Sequence, residues 1–111
     1  MAEWLAESGG SLAITTYTSG KLVLLSSIDG RLHFRTQHYQ RPMGIAVMGD
    51  QLALAVRQRI LLFRGQKADR NRFALQRIYD TGKVDAHDVA FGERSLYFAN
   101  TCFNCVARAS Q

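Results

Sequence analysis

His87 and Asp88 stand side by side, with Asp85 two positions ahead of the histidine. An imidazole among carboxylates can accept a proton near neutral pH or hold a metal ion, and Asp85 is placed to orient it. The plainer alternative has Asp88 accepting backbone hydrogen bonds at the start of a strand while His87 is merely exposed. A second candidate is Cys102-Phe103-Asn104-Cys105, whose spacing suits a zinc ion or a redox disulfide. A structural zinc needs about four ligands, and no second pair of cysteines exists in the chain. A thioredoxin-like pair belongs at a helix start, whereas this one falls between two strands, so two thiols packed at a strand turn are expected. His33 and His38 are expected on an outer strand facing solvent. Ser8-Gly9-Gly10 does not lead from a strand into a helix and makes no phosphate loop, and no nucleophile elbow, kinase or hydrolase signature occurs.

The elements that must position these residues read as strands. Glu3 to Ser8 suits one short helical turn, ended by Gly9-Gly10. Helical periodicity then disappears. Strands are expected over 11–18, 21–28 and 31–38, the last two joined by Asp29-Gly30, a tight hairpin turn. Gln40-Arg41-Pro42 ends that series, because proline cannot donate to a ladder. Short strands follow at 44–48, 52–56, 60–63 and 73–79, and again at 88–91, 96–99 and 106–108.

The second and third series repeat one another. Gly44-Ile-Ala-Val-Met-Gly-Asp-Gln-Leu-Ala-Leu-Ala55 and Asp88-Val-Ala-Phe-Gly-Glu-Arg-Ser-Leu-Tyr-Phe-Ala99 match in apolar, turn and apolar positions without a gap, 44 residues apart, and Leu12 echoes Leu52 at an offset of 40. A repeat of ~40 to 50 residues holding four strands marks a β-propeller blade. Middle strands such as LALAV and LYFA are continuously apolar and mix small with large residues, as sheets covered on both faces require. The expected fold is therefore all-β, with about two and a half blades of four-stranded antiparallel repeats. Residues 11–42 supply the last three strands of a first blade, 43–82 a complete second and 83–111 the start of a third. A chance duplication on a simple β-sandwich is the competing reading.

Composition bounds the rest. With 111 residues, 47% apolar and 21% charged, the chain is the size of one small folded domain. No apolar run approaches the ~20 residues of a membrane helix. The acidic start MAEWLAESGG is unlike a secretory signal, so a cytoplasmic location with both cysteines as thiols is expected. The net charge of +5 is concentrated in Arg57, Arg59, Arg64, Lys67, Arg70, Arg72 and Arg77, with Asp69 the one acid among them. No aromatic is interleaved at a spacing suited to stacking on bases and no nucleic-acid motif accompanies the cluster, so a solvated surface is expected rather than a nucleic-acid interface.

Pro42-MGIAVMGDQLALAVRQRILLF-Phe63 and His87-DVAFGERSLYFANTCFNCVA-Ala107 resemble the repeats of NHL- and YWTD-type propellers. The chain as a whole, from Trp4-Leu5 through Thr16-Tyr17-Thr-Ser-Gly20-Lys21-Leu22, Arg41-Pro-Met-Gly44, Asp85-Ala-His-Asp88 and Asn100-Thr-Cys-Phe-Asn-Cys105, is similar to the N-terminal part of a bacterial family of propeller-like proteins. That family is a domain of unknown function, and its members are several times longer. The resemblance implies a fragment of a larger propeller, or copies that associate to complete a ring, since ~4 to 8 blades are needed for closure. The expected partners are thus remaining blades or further copies, with a small ligand or a protein at the rim.

Antiparallel connectivity sorts the candidates. Connections from a fourth strand to the next first strand carry Arg41, Met43, Asp85, His87 and Asp88. Connections from second to third strands carry Arg57 to Arg59 and Thr101 to Cys105. All fall on one rim, where successive blades supply polar groups to one concave site. Arg41, Arg57, Asp85, His87, Asp88, Asn100 and Asn104 are the rim candidates. Two functions follow: a binding or assembly scaffold without catalysis and without a cofactor, or part of a metal-dependent propeller enzyme of lyase or lactonase type with His87 and Asp88 at the channel. Similarity to gluconolactonase-like propellers implies one acid or amide ligand from each of several blades; Asp88 and Asn100 are available from one, but the matching blade offers only Gly44.

Overall fold

The computed structural model describes residues 11–66, 72–82, 86–100 and 105–109, with the backbone alone for Ile28 and Asn100. The expected turn at Glu3 to Ser8, Asp85 and the segment 101–104 lie outside the described residues. Ten strands follow in chain order: β1 Leu12–Thr16, β2 Lys21–Ile28, β3 Arg31–His38, β4 Ile45–Met48, β5 Gln51–Val56, β6 Arg59–Gly65, β7 Phe73–Asp80, β8 Ala86–Phe91, β9 Leu96–Asn100 and β10 Cys105–Arg108. They form three antiparallel sheets, β1-β2-β3, β4-β5-β6-β7 and β8-β9-β10, with every neighbour in space also a neighbour in sequence. Among the described residues there is no helix.

Turn chemistry sets the hairpins. Asp29 at φ 52° and Gly30 at φ 76° both take the left-handed conformation, and Ile28 pairs directly with Arg31 across them. Two consecutive positive φ values match the right-handed twist of the flanking strands, so this hairpin closes without splaying. The first strand is shorter than expected: β1 stops at Thr16, and Tyr17 to Gly20 form the turn into β2. The Gly20 amide donates to the Thr16 carbonyl at 3.0 Å and closes that turn.

The sequence repeat is a repeat of strand pairing. Ile45, Ala46 and Val47 pair with Leu54, Ala53 and Leu52. Val89, Ala90 and Phe91, each 44 positions later, pair with Phe98, Tyr97 and Leu96, again 44 positions later. The two copies therefore share one register, which a chance similarity of composition would not impose, because a one-residue slip reverses every side chain.

Alternation along the middle sheet distributes its side chains to two cores. Leu52 and Leu54 of β5, with Leu61 and Phe63 of β6, meet Leu22 and Leu24 of β2. The intervening Ala53, Ala55, Ile60 and Leu62 meet Ala86, Val89, Leu96 and Phe98 of the third sheet. Residues 52–56 of β5 and 60–63 of β6 are thus continuously apolar, since each successive residue enters one core or the other. Leu52, Leu54 and Ile60 are fully buried, and each such side chain contributes roughly 2 kcal/mol by removal from water. The outer strands β3 and β7 are exposed along nearly their whole length and carry most of the polar residues of their sheets.

Tyr39, just past β3, joins the first core. Its ring meets Phe63 edge-on with centroids 6.2 Å apart, and its hydroxyl donates to Gln37 Oε1 at 2.6 Å. Burial pushes the phenol above its ordinary value of 10.0, because the phenolate would be poorly solvated there. The folded state therefore holds this proton more tightly than the unfolded chain. Its share of stability is intact below the ordinary tyrosine range and declines as pH rises past it. Urea midpoints at neutral and strongly alkaline pH should differ more for the native chain than for Tyr39→Phe, and equal losses would contradict this assignment.

Candidate functional site

One rim is built by three kinds of connection. Gln40 to Met43 lead from β3 into β4, Arg57-Gln58 turn β5 into β6, and Tyr17 opens the turn from β1 to β2. Pro42 is fully buried and anchors the first of these. The Arg57 amide donates to the Gln40 carbonyl at 2.8 Å, and the Thr81 amide donates to the Gln58 carbonyl at 3.0 Å. Thr15 Oγ1 donates to the Met43 carbonyl at 2.7 Å, tying the first sheet to the second. Arg41 at φ 48° and Gln58 at φ 62° take left-handed conformations that L residues adopt only where their surroundings hold them.

These connections enclose a cavity of ≈ 60 Å³. It is lined by polar Tyr17, Arg41, Arg57 and His87 together with apolar Met43, Val56 and Ala86. The structure thus brings Arg41, Arg57 and His87, separate in sequence, to one place. It also adds Tyr17, which was not among the sequence candidates. The signal was present: Tyr17 follows β1 ahead of β2 and the outer strand β3, as Arg57 follows β5 ahead of β6 and the outer strand β7.

Asp88 has a different position. Strand β8 begins at Ala86, so His87 and Asp88 lie within it and not in a connection before it. Ala86 pairs with Asn100 and Val89 with Phe98, leaving His87 and Asp88 opposite a single residue in a β-bulge. A bulge interrupts alternation, so both residues are exposed between the buried Ala86 and Val89. Asp88 Oδ1 accepts from the Val89 amide at 2.9 Å, and Asp88 does not line the cavity. The matching position in the second sheet shows the same irregularity, with the Met43 amide donating to the Ala55 carbonyl and the Ala55 amide donating to the Gly44 carbonyl. Gly44 lacks a side chain for a steric reason: a Cβ built there would lie 2.5 Å from Asp88 Cα and 2.9 Å from Val89 N.

The remaining sequence candidates fall elsewhere. Asp85 and Asn104 lie outside the described residues, and Asn100 is placed by its backbone at the end of β9. Cys105 is exposed at the start of β10 with a free thiol, Cys102 being outside the described residues. His33 and His38 are exposed on β3. Among the described residues no three His, Cys, Asp or Glu side chains gather as a metal set.

Lys67 and Arg70 of the basic cluster lie outside the described residues, and among those described the fold spreads the arginines apart. Arg57 sits at the rim, whereas Arg64, seven positions later and roughly 20 Å along β6, is at the opposite end, 3.6 Å from Asp50. Arg77 lies on β7, its guanidinium 5.9 Å from the Tyr79 ring centre. Two larger clefts, of ≈ 230 Å³ between the first and second sheets and ≈ 280 Å³ between the second and third, are seams of the sheet stack and share no lining residue with the rim cavity.

Residues 1–111, the whole of the chain, match the protein family described as Domain of unknown function (DUF4915). The chain belongs to this family. No curated protein and no solved structure matches it. The description of the family carries no activity, so the chemistry of the rim is read from Arg41, Arg57, His87 and Tyr17 themselves. No helix among the described residues of this family member is long and apolar enough to cross a membrane.

Proposed function

We propose that the chain is a segment of a β-propeller, with blades resembling NHL and YWTD repeats, that acts as a binding and assembly scaffold. The observation that carries this reading is the middle sheet, covered on both faces by sheets of its own pattern, while the two outer sheets keep apolar side chains on their outward faces. On the first sheet, Leu12, Leu25 and Phe34 form one cross-strand row and Ile14 and Val23 another, turned away from the core that holds Ala13, Leu22 and Leu24. Phe34 is 69% exposed. On the third sheet, Tyr97 and Val106 face outward, Val106 being 74% exposed. Unpaired apolar faces of this kind are what further like sheets would cover.

Sedimentation velocity over a concentration series tests the reading. The isolated chain is expected to associate through these faces, and Phe34→Lys with Val106→Lys to shift it to monomer without unfolding it. A native chain that stays monomeric at every concentration would overturn the scaffold reading. A divalent-metal titration followed by calorimetry separates the alternative: stoichiometric binding abolished in His87→Ala would favour a metal-dependent propeller enzyme instead.

A further inference from the structure

We infer that the rim cavity is a binding site for a small oxyanion, a carboxylate or phosphate group, gripped by Arg41 and Arg57 with His87 and Tyr17 beside it. The inference deepens the binding role proposed above by naming the ligand chemistry of its rim.

Composition of the wall comes first. Two arginines line one cavity whose described lining contains no carboxylate. Among the described residues neither Arg41 nor Arg57 has an acidic partner, in contrast to Arg64 with Asp50. Two cations brought together without a counter-charge repel one another, and a ligand anion relieves that repulsion. Guanidinium groups suit this work because their planar forks donate two parallel hydrogen bonds to one carboxylate or phosphate. The Tyr17 hydroxyl adds a donor, and His87 supplies a donor in either protonation state.

Size decides how much of a ligand enters. A cavity of ≈ 60 Å³ is far below the roughly 300 to 1,000 Å³ of pockets that enclose whole metabolites. It accepts one charged head group, and the rest of the ligand must lie over the open rim. The backbone supports the same assignment, since Arg41 is held at φ 48° and Gln58, next to Arg57, at φ 62°. Such conformations cost on the order of 1 kcal/mol each and persist where the surroundings impose them. Here the Arg57-to-Gln40 and Thr81-to-Gln58 hydrogen bonds impose them, fixing both arginine-bearing connections before any ligand arrives.

The test is a titration of the isotopically labelled chain with inorganic phosphate and, separately, acetate, with chloride keeping ionic strength constant. Backbone amide and arginine side-chain resonances are followed by NMR. Saturable shifts are expected at Arg41, Arg57 and His87 with at least one of the two anions, and the anion that saturates first identifies the head group. Arg41→Gln and Arg57→Gln should each weaken binding about tenfold, and the pair together should abolish it. Unchanged amides of Leu54 and Ala55 report that the variants are folded. Unsaturated shifts scattered over other arginines such as Arg31 and Arg59, or full affinity in the double variant, would overturn the assignment. Association state separates this inference from the scaffold reading: a monomer that binds the anion keeps the site and loses the assembly, and an assembly indifferent to both anions does the reverse.

Discussion

Gly44→Ala should destabilise the chain by roughly 3 kcal/mol, although it adds one methyl group and removes the flexibility of a glycine. In an open strand the same exchange is neutral or favourable. Here the new Cβ would sit 2.5 Å from Asp88 Cα, 2.9 Å from the Asp88 carbonyl carbon and 2.9 Å from Val89 N. All three are backbone atoms of β8, so relief requires the second and third sheets to move apart at this contact. That movement opens the core formed by Ala53, Ala55, Val89 and Phe98. Against a total stability of ~5 to 15 kcal/mol, the thermal midpoint should fall by on the order of 10 °C. Protein concentration must be held constant, since association shifts the midpoint by mass action. A midpoint within about 2 °C of the native value would show that the two strands are not in contact in solution.

Leu54→Ala is the second large effect, expected at about 3 kcal/mol within a range of 2 to 5. Leu54 is wholly inaccessible and meets the first sheet's core, on the face of β5 opposite that of Ala53 and Ala55. Truncation there removes buried apolar surface and leaves a cavity that strands fixed on both faces have little freedom to close. Leu75→Ala on β7, at 50% exposure, makes the same chemical change and should cost about 1 kcal/mol or less. Denaturant titrations of the two variants at equal concentration give the comparison, and equal losses would contradict the two-faced burial of β5. Because Gly44 and Leu54 act on opposite faces of the middle sheet, amide exchange should rise mainly in the third sheet for Gly44→Ala and mainly in the first for Leu54→Ala. Exchange rising uniformly in both variants would mean that the three sheets open as one unit.

Much of the strand order was determined by local chemistry. Asp29-Gly30 permits two successive positive φ values, and β2 and β3 take the expected bounds of 21–28 and 31–38 on either side of it. Apolar runs at LALAV and ILLF specified strands covered on two sides, because no alternating pattern can fill two cores at once. The 44-residue offset fixed a shared register, since pairing depends on which residues are apolar and that order recurs.

The rim needed tertiary structure. Connectivity placed Arg41, Arg57 and His87 at the same end, but a strand reading carries no information on which side chains from three separate sheets meet. Tyr17 joined them through sheet stacking, and Asp88 left them through a bulge, a one-residue change in pairing that composition does not encode. Gly44 is the clearest case. In the sequence it is a blank in the repeat where its partner copy has an aspartate. Its reason is the backbone of β8 lying against it, a contact between residues 44 positions apart that exists only after the sheets have packed.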